Sequence, residues 1–443
     1  MSLQPQLGPD FARRGAHLFV EDVALDTLAA RYGTPAYVYS KAALVAAWSG
    51  YARALVDRGN RGGALVCYSV KANSNLAILN LFASLGAGFD IVSGGELARV
   101  LAAGGDAGKV LFSGVGKSHA EMRAALAAGV GCFNVESLSE LRTLAKIAGE
   151  AGKVARISLR VNPDVDARTH PYISTGLAEN KFGIAYADAS AAYREAASLP
   201  QLAVVGIDCH IGSQLLEDAP LLAALDRLIA LVDLLADDGI ALEHLDLGGG
   251  LGIRYGNEGE GIHAVAPADY LASVFARIDS WRAARYGGKP ISVLFEPGRS
   301  LVGHAGILLT RVEVLKPGTA KNFAIVDAAM NDLMRPAMYQ AWHDVVPVEA
   351  HDPNKRGEAL SWDIVGPICE SGDWLARSRQ MALEEGDLLA FLSAGAYGMT
   401  MASNYNTRPR AVELLVDGSV VHVIRDRESI AQLFAGEHIP DRE

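Results

Sequence analysis

One alternation constrains this chain more than any other feature. Between residues 64 and 295, short apolar runs alternate with longer amphipathic stretches. Eight runs read as strands: Ala64–Val70, Gly88–Val92, Val110–Ser113, Gly131–Val135, Ala155–Val161, Val204–Ile211, His244–Leu247 and Ile291–Phe295. Segments of helical length stand between most of them: Asn75–Leu85, Glu96–Ala103, Ala120–Ala128, Leu138–Ala151, Leu221–Asp237 and Ala268–Arg285. Parallel strands need a crossover between neighbours, usually a helix, so the pattern predicts a parallel sheet clad in helices. Eight such units match a closed (β/α)8 TIM-like barrel. An open, doubly wound sheet fits the same count and stands as the alternative.

After Gly303 the pattern changes. Gly306–Leu315, Asn322–Val326, Leu360–Val365, Leu388–Leu392 and Ala411–Ile424 read as strands, separated by turns such as Lys316-Pro-Gly, Glu385-Gly-Asp and Asp417-Gly-Ser. They predict a second, mostly β-strand domain of sandwich or barrel-like form. His17–Glu21 and Ala36–Tyr39 are strand-like and precede the barrel repeat. The expected division is therefore a barrel over 41–303 and a β domain built from both termini, 1–40 and 304–443. The 443 residues suit this division, since a barrel alone takes about 250.

Barrel enzymes place their chemistry at the C-terminal ends of the strands. The unusual residues of this chain cluster at such ends. Lys71 closes the first apolar run, where desolvation lowers an amine's pKa and a neutral amine can form a Schiff base. Asp90 lies in the second strand. His210 comes near the end of the sixth, followed by Gly212-Ser213-Gln214. Gly248-Gly249-Gly250-Leu251-Gly252 follows the seventh, and Glu296-Pro297-Gly298-Arg299 the eighth. Each has a bland reading: a core histidine, a turn, an ion pair. Their common placement at one end of one barrel does not. A glycine run after strand seven lets backbone N–H groups cradle a phosphate. A phosphate cradle, a Schiff-base lysine and a carboxylate able to hold a ring nitrogen protonated point to pyridoxal phosphate. In the β domain, Arg335, Tyr339, Glu370 and Tyr397 lie in glycine- and proline-punctuated segments. Cys369 sits among Gly, Pro, Ser and acids, whereas Cys67, Cys132 and Cys209 lie in apolar strands and read as core.

The net charge of −11 argues against nucleic acid or an anionic membrane surface as partner. No apolar run reaches the ~18 residues of a membrane span, and Met1–Asp10 carries no basic region followed by an apolar one. The four cysteines have no paired or metal-ligand spacing. A cytoplasmic protein with reduced thiols and no metal is the expectation.

Taken together, these residues resemble the pyridoxal-phosphate decarboxylases of the alanine-racemase-like fold, most closely the diaminopimelate decarboxylases. The likeness runs from about Gly33 to Ile430. It is carried by Tyr68–Asn73, Phe89–Glu96, His170–Gly183, His210–Gln214, Gly248–Gly252, Glu296–Arg299, Asp327–Tyr339, Gly366–Asp373 and Gly395–Arg410. The resemblance implies that Lys71 carries the cofactor, Glu296 faces the pyridine nitrogen and His210 stacks on the ring. It further implies that Asp90, Ser213, Gly249, Gly250, Pro297, Gly298, Arg299 and Tyr397 border the cofactor. Arg299, Arg335, Tyr339, Glu370 and Tyr397 match substrate-contacting positions. Cys369 matches a cysteine supplied by the partner chain of a homodimer with shared active sites, and either it or Lys71 returns the proton after CO2 leaves. A carboxylate at 296 favours a strong electron sink, where racemases of this fold place arginine. Glu370, with Arg299 and Arg335, suits a distal end bearing both ammonium and carboxylate, as in meso-2,6-diaminopimelate. The rivals are another basic amino-acid decarboxylase of the fold, acting on ornithine, arginine or carboxynorspermidine, and a non-catalytic pyridoxal-phosphate-binding protein. The second is usually a lone barrel, so the β domain counts against it.

Overall fold

In the computed structural model the described residues are 7–55, 62–166, 180–259, 262–285, 287, 289–350, 356 and 358–441. By contacts the chain divides into two compact units. One comprises Ala47–Ile253 and Ile262–Leu301; the other comprises Met1–Ala46, Arg254–Gly261 and Val302–Glu443.

The first unit is a closed parallel barrel. Its strands are β1 (Ala64–Ser69), β2 (Gly88–Ile91), β3 (Val110–Phe112), β4 (Cys132–Val135), β5 (Ala155–Asn162), β6 (Leu202–Asp208), β7 (His244–Asp246) and β8 (Ser292–Phe295). They pair in sequence order, and β8 closes onto β1 with Val293 opposite Ala64 and Phe295 opposite Val66. The closure excludes the open doubly wound sheet. Serines start several covering helices for a physical reason: a serine oxygen accepts an otherwise orphaned N–H of the first turn. Ser93, Ser118 and Ser137 do this for the helices Gly94–Ala102, His119–Ala128 and Leu138–Glu150. A helix at Tyr186–Ser198, rich in alanine and serine, fills the crossover between β5 and β6 that the sequence reading left unassigned.

The barrel interior is layered. Alternate residues of a strand face the same side, so Leu65, Cys67 and Ser69 of β1 line one face in succession. Cys67, Leu111, Cys132, Val205 and Leu294 pack as one buried apolar cluster. Two residues further along the strands the chemistry inverts. Ser69, Ser113, Asn134, Asp246 and Glu296 follow Cys67, Leu111, Cys132, His244 and Leu294, all of them buried, and Asp90, Arg160 and Asp208 add three more buried polar residues at the same end. A polar layer is unusual inside a barrel, where bulky branched side chains dominate. Here it lies at the C-terminal ends of the strands.

The second unit is mostly β. Its main sheet runs in the order Trp374–Met381, Leu360–Val365, Asn322–Val326, Gly306–Lys316, Ala36–Ser40, Val412–Asp417, Val420–Arg425. Ala36–Ser40 lies between Gly306–Lys316, antiparallel to it, and Val412–Asp417, parallel to it, so both ends of the chain contribute to one sheet. Val345–Pro347 and Leu388–Phe391 pair with each other, and the latter also with Gly306–Lys316. His17–Val20 instead joins a small three-stranded sheet with Phe11–Arg14 and Val23–Ala24. The core of this unit holds Leu18, Val38, Ile307, Leu309, Ala390 and Leu414.

Candidate active site

Lys71 is not the last residue of its strand. β1 ends at Ser69, and a single 3-10 turn, Val70–Ala72, lifts Lys71 over the barrel end. Its Nζ lies 2.7 Å from Oδ2 of Asp90, which is fully buried and also accepts the Ser69 hydroxyl at 2.8 Å. The Lys71 side chain remains 36% accessible, so the amine is anchored yet reachable. Pro297 ties the end of β8 to this point, its carbonyl accepting the Ser69 N–H at 3.0 Å. The Gly298 carbonyl accepts the Leu301 N–H at 3.0 Å and starts the short helix carrying Arg299.

Glu296 follows β8 and is 5% accessible. Asn134 Nδ2 reaches its Oε1 at 3.4 Å. Burial pushes its carboxyl well above the usual range, and the neighbouring carboxylates Asp246, Asp90 and Asp208 push it further; Lys71 acts weakly the other way. A carboxylate placed so is destabilised until a cation meets it.

His210 lies beyond the end of β6, which stops at Asp208, rather than inside the strand. It is half-buried at the barrel mouth, and loss of water together with the positive charges of Arg160 and Lys71 holds its pKa well below the usual value. The imidazole is therefore neutral, and its Nδ1 accepts the Gly249 N–H at 3.2 Å. The glycine turn leaves no room for side chains. A Cβ on Gly249 would lie 2.3 Å from the Glu296 carbonyl oxygen, and one on Gly250, whose φ is +116°, 2.6 Å from the Gly212 oxygen. Ser213 and Arg299 meet across the same mouth, Arg299 Nη2 donating to Ser213 Oγ at 3.1 Å. A cradle of backbone, a hydroxyl and a guanidinium suits a phosphate. With the lysine and the desolvated carboxylate, these residues fit pyridoxal phosphate.

Three features of this mouth were not read from the sequence. Asp208 and Asp246 are fully buried beside Glu296, and Arg160, also buried, pairs with Glu136 at 3.1 Å. Glu96 accepts the Val92 N–H at 2.7 Å, and burial raises its pKa to about 7. The signal was present for the aspartates: an ionisable residue directly after a buried apolar one (Ile207, Leu245), at the end of a buried strand.

The remaining candidates lie in the second unit. Arg335 opens the short helix Arg335–Tyr339 and is 6% accessible. Its Nη1 stands 2.7 Å from Nε2 of His343, whose Nδ1 stands 2.8 Å from the Leu392 carbonyl. That carbonyl can only accept, so Nδ1 carries the proton and Nε2 accepts from Arg335. The guanidinium also lies 4.5 Å from the centre of the Tyr255 ring. Tyr339, at the end of the same helix, is half-buried. Asp373 organises the Gly366–Asp373 loop, its carboxylate accepting N–H groups of Met330 and Ile368 at 2.7 and 2.8 Å. The loop presents Cys369 and Glu370 exposed, with the Cys369 N–H held by Asn406 Oδ1 at 2.9 Å. Tyr397 adopts φ +56°, a left-handed backbone uncommon outside glycine. Of the family-like stretch His170–Gly183, residues 170–179 lie outside the described residues.

Comparison with known proteins gives the chain a family. The family described as "Pyridoxal-dependent decarboxylase, pyridoxal binding domain" matches residues 44–303. The diaminopimelate decarboxylase of Pseudomonas fluorescens is 58% identical over 430 residues, covering 97% of this chain and 99% of that protein. Among solved structures, diaminopimelate decarboxylase from M. jannaschii in complex with L-lysine superposes with a TM-score of 0.91 at 36% identity, over 98% of this chain and 99% of that one. The Helicobacter pylori enzyme complexed with L-lysine gives 0.84 at 39% identity, over 93% and 98%.

Proposed function

Because the chain belongs to the diaminopimelate decarboxylases, within the pyridoxal-dependent decarboxylases, we propose that its catalytic centre is the barrel mouth around Lys71. The protein is a carbon–carbon lyase that uses pyridoxal 5′-phosphate and converts meso-2,6-diaminopimelate to L-lysine and CO2, the last step of lysine biosynthesis. The bound cofactor supplies the electron sink for the bond that breaks. Lys71 would hold it covalently, and the single observation that carries this assignment is the Lys71–Asp90 contact at the mouth of the barrel.

The chain's own residues do the rest. Asp90 keeps the Lys71 amine at one place. Gly249, Gly250, Ser213 and Arg299 bind and orient phosphate oxygens. Glu296, desolvated and rich in negative neighbours, favours a protonated ring nitrogen. His210, being neutral, would border the ring without adding a second positive charge. For the substrate's distal ammonium and carboxylate we assign Arg335, Tyr339, Glu370 and Tyr397, together with Arg299. The fixed His343 partner holds Arg335 in one orientation, as bidentate carboxylate recognition needs. Cys369 and Glu370 project from an organised loop and are exposed, which supports a homodimer in which this loop completes the partner chain's site. Cys369, or Lys71, then delivers a proton to the carbon that lost CO2. A cytoplasmic setting goes with this reading, since all four cysteines are unpaired. No helix among the described residues is long and apolar enough to cross a membrane.

Borohydride reduction tests the assignment. It should bleach the cofactor's visible absorption and leave a label that peptide mapping finds on Lys71. A label on any other lysine removes Lys71 from the centre.

A further inference from the structure

We propose that Asp246 is a positioning residue for Glu296: the two carboxyls share one proton, which fixes how Glu296 is presented to the pyridine nitrogen. The inference rests on the assignment of Glu296 made above and goes one residue deeper.

The geometry is specific. Asp246 ends β7, Asp208 ends β6 and Glu296 follows β8, and one carboxylate oxygen from each lies within 4.8 Å of the others. Asp246 Oδ1 accepts the Gly248 N–H at 3.0 Å. Its Oδ2 is buried with no protein donor on it, and the carboxyl stands in one cluster with that of Glu296. Two carboxylates have four acceptor oxygens and no donor, so a bond between them requires a proton on one.

The surrounding charges make that proton necessary. The acids facing this layer are Asp90 from β2, Glu136 after β4, Asp208, Asp246 and Glu296; the cations are Lys71 and Arg160. Asn134 and the thiols of Cys67, Cys132 and Cys209 complete the surroundings. Lys71 is engaged with Asp90 at 2.7 Å and Arg160 with Glu136 at 3.1 Å. Asp208, Asp246 and Glu296 are left without a cation of their own in a water-poor layer. Burial raises Asp246 to about 7, and burial with mutual repulsion raises Asp208 and Glu296 well above the usual range. With the proton between Asp246 and Glu296, Glu296 is oriented from one side and would present its carboxylate to the ring nitrogen in one way.

The test uses the holoenzyme and reads the pH midpoint of the bound cofactor's visible absorption band, together with cofactor retention on dialysis. Asp246→Asn keeps a donor toward Glu296 but removes one ionisable group, so it should keep the cofactor and move the midpoint by about one pH unit. Asp246→Leu is of similar size but cannot hydrogen-bond, and it should lose the cofactor at least about tenfold faster. In a Glu296→Gln background the Asp246→Asn shift should vanish, because it acts through Glu296. A shift that persists there, or Asn and Leu variants that both titrate like the parent, overturns the inference. A stoichiometric divalent cation bound to the purified protein, with a chelator abolishing the difference between parent and Asp246→Asn, also overturns it. Should Asp246→Leu not fold, the Asn variant and the double variant decide alone. An unchanged band in Glu296→Gln overturns the nitrogen assignment and this inference with it. An unchanged Asp246→Asn beside an altered Glu296→Gln overturns this inference only.

Discussion

Replacing Glu296 by glutamine separates the electrostatic role of this residue from its shape. The amide keeps the volume, can still meet Asn134 Nδ2, and offers a donor to the bare Asp246 Oδ2. What it removes is a charge opposite the ring nitrogen. Two unit charges about 3 Å apart at an effective dielectric near 20 interact by roughly 5 kcal/mol, which would be about four decades in rate. Asp90, Asp208 and Asp246 leave some negative potential behind, so this is an upper limit. A charged hydrogen bond alone, at roughly 1.5–3 kcal/mol, sets the lower one at one to two decades. CO2 release at saturating substrate should thus fall by about 10-fold to 10⁴-fold. Cofactor binding should persist, because the phosphate cradle and Lys71 are untouched. The sign for stability is opposite. Glu296 has a raised pKa in the fold, so its charge costs stability once pH passes the unfolded carboxyl range, and glutamine removes that cost. The cofactor-free variant should unfold at or above the parent's temperature at pH 8. Turnover within about threefold of the parent, with the cofactor loaded, refutes the reasoning and moves the nitrogen's partner elsewhere.

Three further outcomes are expected. Arg335→Lys cannot reproduce a guanidinium held by His343 and lying over Tyr255, so kcat/KM for meso-diaminopimelate should fall by at least about tenfold; an unchanged value removes the distal carboxylate site from Arg335. Lys71→Ala and Cys369→Ala should each be severely impaired, and refolding them together should restore part of the activity, because one site of each mixed dimer has both native residues. Mixed dimers confirmed by mass that stay inactive would place both residues in a site of one chain. The cofactor-free protein should lose stability as pH rises from about 4.5 to about 7. Glu96, Asp246 and Asp332 each have pKa values raised to about 7, so their contribution is complete at acid pH and is lost through that window. A melting temperature that instead climbs steadily from pH 5 to 8 contradicts these shifts.

The barrel was legible because most of its strands are short runs dominated by apolar residues, as strands buried on both faces are. What the sequence could not fix was shear, the stagger that decides which strand residues share a layer. Asp208 and Asp246 were therefore passed over, although each stands in an apolar strand. The same limit put His210 inside its strand, whereas the ladder stops at Asp208. The helix Tyr186–Ser198 escaped because small alanines and serines give a weak amphipathic pattern. Trp374–Met381 escaped because an edge strand carrying Arg377, Ser378 and Arg379 does not look like one. The barrel part of the site followed from position alone: lysine, histidine, glycines and glutamate at successive strand ends. Arg335, Glu370, Cys369 and Tyr397 did not, since a β domain has no rule for where its functional loops lie. Their roles came only from resemblance.

The most direct test of the central claim is product analysis of the purified, cofactor-loaded protein given meso-2,6-diaminopimelate labelled in its carboxyl groups, with ornithine and arginine in parallel. Labelled CO2 and L-lysine should appear in equal amounts from diaminopimelate, with at most trace CO2 from the other two. CO2 released faster from ornithine or arginine, or from none of the three, contradicts it.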